Sequence, residues 1–210
     1  ILIQRMKKHK CQAIFLFFLL FCCFAKVFAQ KENGTALYQT ANTLFKNRDF
    51  RQALAPALAA DSIFHALADA SAELESKVLV AAIYYRLGRH QSAAQACELS
   101  VPLLVPAGKR DSLIEAELMN TYGNCLMDLR RFEECEAAYR RSIRIKEQLY
   151  GEKAAETGRE VSNLGNMYFK KGELAKSIEY NKMGLALREK VINPNPALVG
   201  AYTNLGIMLN

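Results

Sequence analysis

Apolar residues recur at helical spacing along most of the chain. In the clearest stretch, the apolar positions before a break at Lys171-Gly172 are Val161, Leu164 and Tyr168, and those after it are Leu174, Ile178 and Leu185. Apolar positions three and four residues apart predict amphipathic helices. A lysine followed by glycine is typical of the point where one helix ends and another begins. This stretch therefore predicts two helices joined by a short turn.

The same pattern returns about every 42 residues. Gly123 and Gly165 lie 42 residues apart, and each is followed by asparagine. The corresponding position of successive first helices holds a tiny residue each time: Ala41, Ala81, Gly123, Gly165 and Gly206. An internal repeat of this length indicates a stack of similar structural units.

A glycine inside a helix costs about 1 kcal/mol relative to alanine, so packing must offset that cost. The predicted partner helices offer small residues of their own: Ala53, Ala93, Cys135 and Ser177. We therefore expect the two backbones of each pair to approach closely where small residues face each other. A larger residue at Gly165 should overpack this crossing by about 1–3 kcal/mol.

The pattern resembles the tetratricopeptide repeat, a helix–turn–helix unit. The matching pieces are Leu164-Gly165 with Tyr168, Gly172 before Leu174, the small Ser177 and Gly184, and the shorter matches Tyr122-Gly123 and Asn204-Leu205-Gly206. The period is longer than the 34 residues of the common repeat. It is similar to the longer-repeat subtype of kinesin light chains and of many bacterial arrays, and the export-like N-terminus favours a bacterial exported member.

The resemblance implies an all-α fold, a right-handed α-solenoid of antiparallel helix pairs. It predicts four repeats plus the first helix of a fifth, which the chain truncates. The expected domain limits are 1–29 for a signal peptide, 30–36 for a short linker and 37–210 for the array, with repeats at 37–73, 74–115, 116–157, 158–198 and 199–210. Pro56 and Pro102 fall inside predicted second helices, where proline breaks or kinks a helix.

The first 29 residues have the layout of a secretory signal peptide. Basic residues (Arg5, Lys7, Lys8 and Lys10) precede the apolar run Ala13–Ala25, and Val27-Phe28-Ala29 supplies a cleavage site. A membrane-spanning helix needs roughly 20 apolar residues, more than this run contains. We expect an exported protein, whether periplasmic, cell-surface or membrane-tethered. The alternatives are an uncleaved membrane anchor and a lipoprotein attached through Cys22 or Cys23, which the bulky Phe21 before Cys22 disfavours.

The net charge of the chain after residue 29 does not point to a nucleic-acid or anionic-membrane partner. The formal net charge is +7, but residues 1–29 hold five of the 28 basic residues and none of the 21 acidic ones, which leaves +2 for the remainder. A nearly neutral chain gives no argument for nucleic acid. Membrane contact is expected only through an uncleaved signal or a segment after residue 210.

No pattern in the sequence indicates catalysis. Nucleophile elbows, metalloprotease helices, phosphate-binding loops and dinucleotide-type glycine runs are absent. The three cysteines outside the signal, Cys97, Cys125 and Cys135, have no metal-ligand spacing and are expected in the core. The chain is therefore predicted not to be an enzyme and to need no cofactor or metal.

The expected site is the concave side of the array, which first helices line. Residues predicted on that face are Asn42, Lys46, Lys77, Arg86, Asn120, Asn124, Arg159, Asn166 and Lys170. Side-chain amides can bond an extended peptide backbone, and lysine or arginine can pair with a carboxylate. By resemblance, Asn42, Asn124 and Asn166 are the first candidates. The competing interpretation is that these residues are solvated or join neighbouring repeats.

Two functions fit these patterns. The first is a non-catalytic scaffold that binds a peptide or protein segment in the groove. The second is the sensory or regulatory front of a larger signalling protein, such as a histidine kinase or a protein with a DNA-binding output domain, or of a caspase-like CHAT peptidase. The sequence beyond Asn210 would discriminate between them, through a transmembrane helix or an effector domain there.

Overall fold

The structure is a computed structural model that describes residues 2–104, 109–152 and 154–189, with side chains for 24–104, 112–152 and 154–189. Its helices are α1 (Leu2–Lys46), α2 (Phe50–Ala66), α3 (Ala70–Arg86), α4 (His90–Ser100), α5 (Lys109–Asp128), α6 (Phe132–Tyr150), α7 (Gly158–Lys171) and α8 (Leu174–Glu189). Short 3-10 turns cover Val101–Leu103 and Ala155–Thr157. These ranges contain no strand, so the predicted all-α fold is confirmed.

The helices pair in chain order as antiparallel hairpins. In the part formed by residues 1–76, α1 packs against α2. In the part formed by residues 77–210, α5 packs against α6 and α7 against α8, while α4 contacts α5 and α6 contacts α7. The boundary between these two parts, after Ser76, falls within helix α3.

One turn geometry closes every hairpin. The turn residues with positive φ are Arg48, Gly88, Arg130 and Gly172, at 65°, 73°, 61° and 91°. In each case the next amide donates back to a carbonyl five residues earlier, as from Glu173 to Tyr168 at 2.9 Å. This left-handed ending satisfies carbonyls that the helix leaves unpaired. The break predicted at Lys171-Gly172 is confirmed, and two turns use arginine where glycine is usual.

The two prolines behave differently. Pro102 lies in the 3-10 turn that follows α4, whose last helical residue is Ser100, so the predicted break is confirmed there. At Pro56 the helix is not broken, because α2 runs from Phe50 to Ala66 through it. The carbonyl that loses its donor belongs to Gln52, which is exposed, so water can bond it.

The core of the C-terminal part lies between α5, α6 and α7. Its buried residues include Leu126, Tyr139, Leu164 and Met167, each 0% exposed. Burying side chains of this size contributes about 1.5–3 kcal/mol each. The apolar face that the sequence predicted for the fourth repeat is therefore the face that holds repeats three and four together.

The prediction that small residues face small residues at each crossing needs correction. A Cβ on Gly123 would come within 2.6 Å of the Tyr139 ring, and one on Gly165 within 2.6 Å of Cγ of Asn181. Tyr139 and Asn181 lie one helical turn after Cys135 and Ser177, the predicted partners. The glycines thus make room for a large side chain, although Cys135 still donates its thiol to the carbonyl of Gly123 at 3.1 Å.

The closest backbone approach occurs at a different place. A Cβ on Gly184 would lie 2.7 Å from the amide nitrogen of Ser162 and 2.9 Å from the carbonyl oxygen of Gly158. Here α7 and α8 touch backbone to backbone. Ala41 and Ala81 are fully buried, whereas Gly206 lies outside the described residues.

Two of the predicted segments, residues 30–36 and 199–210, can be compared with the described part of the structure. Residues 30–36, predicted as a linker, are helical and continue α1 without a break. The truncated fifth repeat, 199–210, lies outside the described residues. Within the part that is described, no helix is long and apolar enough to cross a membrane.

Candidate functional site

Ion pairs join the first helices of the third and fourth repeats. Arg159 donates to Glu117 at 2.8 Å, and Lys170 donates to Asp128 at 2.6 Å. In both pairs the residues lie 42 positions apart, so the acid on α5 and the base on α7 occupy the same place in their repeats. Arg159 and Lys170, predicted to hold a ligand carboxylate, are therefore engaged within the protein.

Arg159 has a second acidic neighbour. Its guanidinium also contacts Glu160 at 3.0 Å. Burial acts to lower the pKa of Arg159, but attraction to Glu160 and Glu117 outweighs it and the pKa is raised. Glu160 is fully buried and also accepts from Lys146 of α6 at 2.9 Å. Arg159 thus belongs to a charge network that fastens α7 to α5 and α6.

Three asparagines form an amide cluster between α5 and α7. The amide nitrogen of Asn163 donates to Asn120 at 3.0 Å and to Asn124 at 3.3 Å. The hydroxyl of Tyr139 donates to the same oxygen of Asn124 at 2.7 Å. Asn120 is only 5% exposed, so of the two predicted α5 amides only Asn124 remains accessible, and only through its NH₂ group.

Asp128 joins three elements at the end of α5. Besides Lys170 it accepts a hydrogen bond from Tyr85 of α3, and Nδ1 of His90 in α4 lies 3.6 Å from it. Burial and the negative charge of Asp128 raise the pKa of the Tyr85 hydroxyl. Since these contacts come from consecutive repeats, this carboxylate helps to fix their register.

Asn166 and Phe169 are side chains of α7 that the contacts between α5 and α7 do not engage. Asn166 is half-buried, and no hydrogen bond ties its side chain within the described part of the chain. Phe169, one turn further along, is 47% exposed. The equivalent residue of the preceding repeat, Met127, is 9% exposed and packs in the core. Sequence reasoning missed Phe169, although an aromatic three residues after Asn166 was a readable signal.

The other predicted residues lie elsewhere. Asn42 is half-buried and Lys46 exposed at the end of α1, in the N-terminal part. Arg86 is exposed at the end of α3. Lys77 is half-buried, one period before the buried Met119. The structure brings Asn120, Asn124, Arg159, Asn166 and Lys170 together on α5 and α7, and it does not add Lys77 to that face.

The described side chains include no reactive thiol and no metal-binding cluster. Cys97, Cys125 and Cys135 are buried free thiols, and burial raises the pKa of Cys135 to about 12, which disfavours the reactive thiolate. Within residues 24–104, 112–152 and 154–189, no group of three histidine, cysteine or acidic side chains could hold a metal ion. These residues offer hydrogen bonds and apolar contact.

Comparison with known proteins covers part of the chain by sequence and most of it by fold. Residues 114–190 match the tetratricopeptide repeat family. No curated protein matches the chain. The crystal structure of BtubC (BKLC) from P. vanneervenii is similar over 88% of this chain and 80% of that one, with 24% identity and a TM-score of 0.69.

A second similar structure is a putative kinesin light chain from Podosopora anserina with nearly identical TPR-like repeats. It covers 85% of this chain and 86% of its own, with 13% identity and a TM-score of 0.67. At these identities the likeness shows the fold alone. The third and fourth repeats of this chain thus match the tetratricopeptide repeat, and its all-α fold is similar to that of TPR-like repeats in kinesin-light-chain structures.

Proposed function

We propose that this chain is a non-catalytic interaction module that binds an extended segment of a partner protein along α5 and α7. Tetratricopeptide repeats generally mediate protein–protein interaction, which supports the class of function. The observation that carries the proposal is the pair Asn124 and Asn166. They lie one period apart on consecutive first helices, each is half-buried, and no hydrogen bond of the described residues uses the NH₂ group of either.

The charges of this surface define the segment it would take. Arg159 and Lys170 are paired with Glu117 and Asp128, so a ligand carboxylate would have to displace a carboxylate of the protein itself. That exchange gains little, because one exposed ion pair replaces another. The ligand expected here is therefore an uncharged extended stretch rather than an acidic terminus.

Phe169 adds an apolar contact to the amides. It follows Asn166 by three residues, which places both on one side of α7. Large aromatic side chains often supply most of the binding energy of an interface. A bulky apolar residue of the bound segment should pack on Phe169 while its backbone bonds Asn166, as in other sites where side-chain pockets accompany backbone hydrogen bonds.

The test uses the full chain and a library of random displayed peptides. Peptides selected on the wild type are measured against Asn124→Asp, Asn166→Ala and Phe169→Ala. Asn124→Asp keeps an oxygen that can accept from Tyr139 and Asn163, removes the amide donor and adds a negative charge. Each lost hydrogen bond should weaken binding roughly 3- to 10-fold, and loss of the aromatic ring roughly 10-fold or more.

Two control variants separate the site from general surface effects. Met183→Ala removes an apolar side chain of the same 47% exposure from α8, and Asn47→Ala removes an exposed asparagine from a turn. Both should leave affinity within about twofold. Equal loss in the controls would contradict the proposal. If Phe169→Ala instead lowers the unfolding temperature without changing affinity, Phe169 packs inside the protein as Met127 does, and the site is refuted at this residue.

A further inference from the structure

Helix α1 changes its surroundings abruptly near residue 31. Every described side chain from Phe24 to Asn33 is exposed, including Phe24, Val27 and Phe28 at 71%, 50% and 56%. Gly34 is the first buried residue, and a Cβ there would lie 3.0 Å from both Ile63 and Phe64 of α2. The packed part of α1 therefore begins after a stretch of exposed apolar residues.

A salt bridge marks the same boundary. Lys31 lies 2.7 Å from Asp69, whose carboxylate also accepts from the amide of Ala72 at the start of α3. The hydrogen bond from Lys31 holds the pKa of Asp69 below its usual value, with burial acting against it. Lys31 is thus the first described residue of α1 with an ion pair to the segment that follows α2. From Phe24 to Gln30, every side chain is exposed.

Helix length points to the same place. α1 has 45 residues, whereas α2 and α3 have 17 each. The segment from Gln30 to Lys46 would also contain 17 residues, the length of its partner. Glu32 would then lie in the first turn, where a negative charge favours the helix dipole. A chain that starts at Gln30 keeps a complete first hairpin.

We propose that the bond between Ala29 and Gln30 is a processing site, cut by a signal peptidase during export. Water adds across this peptide bond, so that Ala29 leaves with a carboxylate and Gln30 gains an ammonium group. The basic start, the apolar run Ala13–Ala25 and the residues Val27 and Ala29 before the cut supply the recognition features. The cut removes the exposed apolar side chains, which would be unfavourable in water.

The test is the mass of the protein recovered from a secretion-competent host that expresses the full chain. The expected product starts at Gln30 and lies outside the cytoplasm. Ala29→Phe, which puts a bulky residue directly before the cut, should leave the chain uncut in the membrane fraction. The matched control, Ala36→Phe, changes an exposed alanine of the same helix and should be processed like the wild type.

Two results would overturn the proposal. One is a wild-type product that retains residues 1–29, whether in the membrane as an uncleaved anchor or in the cytoplasm. The other is a cut beyond Gly34, inside the packed helix. In the same detergent solution, the processed protein and uncut Ala29→Phe should unfold at the same temperature, because the first buried residue of α1, Gly34, lies after the cut. A lower unfolding temperature for the processed protein would also contradict the proposal.

Discussion

Replacing Gly165 by alanine tests the packing of α7 against α8 most directly. The two relevant effects have opposite signs. Alanine is favoured over glycine in a helix by about 1 kcal/mol. Against this, the new Cβ would meet Asn181 within 2.6 Å of Cγ and 2.9 Å of the backbone nitrogen, both far inside van der Waals contact.

The second effect should prevail. Asn181 is 3% exposed and donates to the carbonyl of Ser177 at 3.0 Å, so its side chain cannot move without leaving a buried amide unpaired. Its backbone nitrogen can move only with α8. Overpacking costs about 1–3 kcal/mol, and a disrupted buried hydrogen bond costs about 1–3 kcal/mol more. After the propensity gain of about 1 kcal/mol, we expect a net loss of about 1–5 kcal/mol.

Thermal unfolding followed by circular dichroism measures this loss. At about 2–4 °C per kcal/mol for a chain of this size, a loss of about 1–5 kcal/mol should lower the midpoint of Gly165→Ala by roughly 2–20 °C. Ala175→Gly, at an exposed position of α8, calibrates the effect of helix propensity alone. Combining Gly165→Ala with Asn181→Ala removes two of the three close atoms and should recover part of the loss. A variant as stable as the wild type would refute the reasoning.

Three further changes test other features. Lys146→Met leaves the buried Glu160 without its lysine and should cost about 3 kcal/mol in urea unfolding, most of which the double variant with Glu160→Gln should restore. Arg130→Gly relieves a positive φ of 61° and should raise the free energy of unfolding in urea by up to about 1 kcal/mol. A lower free energy of unfolding would show that the contacts of the arginine side chain matter more. Burial raises the pKa of Cys135 to about 12 from an ordinary 9.0, so stability present below pH 9 should be lost as the pH rises towards 12, by about 1.4 kcal/mol per pH unit. Cys135→Ala should flatten that slope, and an unchanged slope would assign it to other groups.

The fold could be predicted because its signal is periodic and local. Leu164 and Tyr168 show the helical spacing, and Gly172 shows the turn, without any knowledge of neighbouring helices. What faces Gly165 depends on how α8 is rotated about its axis. Ser177 and Asn181 lie one turn apart on the same face of α8, so the spacing alone did not distinguish them.

The helices that carry the predicted site residues could be read from the sequence, but the contacts of those residues could not. Asn124, Asn166 and Lys170 lie on the predicted helices, yet Lys170 is paired with Asp128. This ion pair could have been predicted from the sequence, because Asp128 lies one period before Lys170. The hydrogen bonds of Asn163 could not be predicted in this way, because its partners, Asn120 and Asn124, do not lie one period before it; that position holds Thr121. Its role depends on the distance between α5 and α7, which only the packed structure gives.

The ion pairs between α5 and α7 have a consequence for how such a chain can evolve. Each pair needs an acid in one repeat and a base at the same position of the next, as Glu117 and Arg159 show. If the fourth repeat were duplicated after itself, arginine would stand opposite arginine, and like charges would repel. The third and fourth repeats are therefore not interchangeable, because their charges are complementary only in this order. Shuffling or copying them would require compensating substitutions.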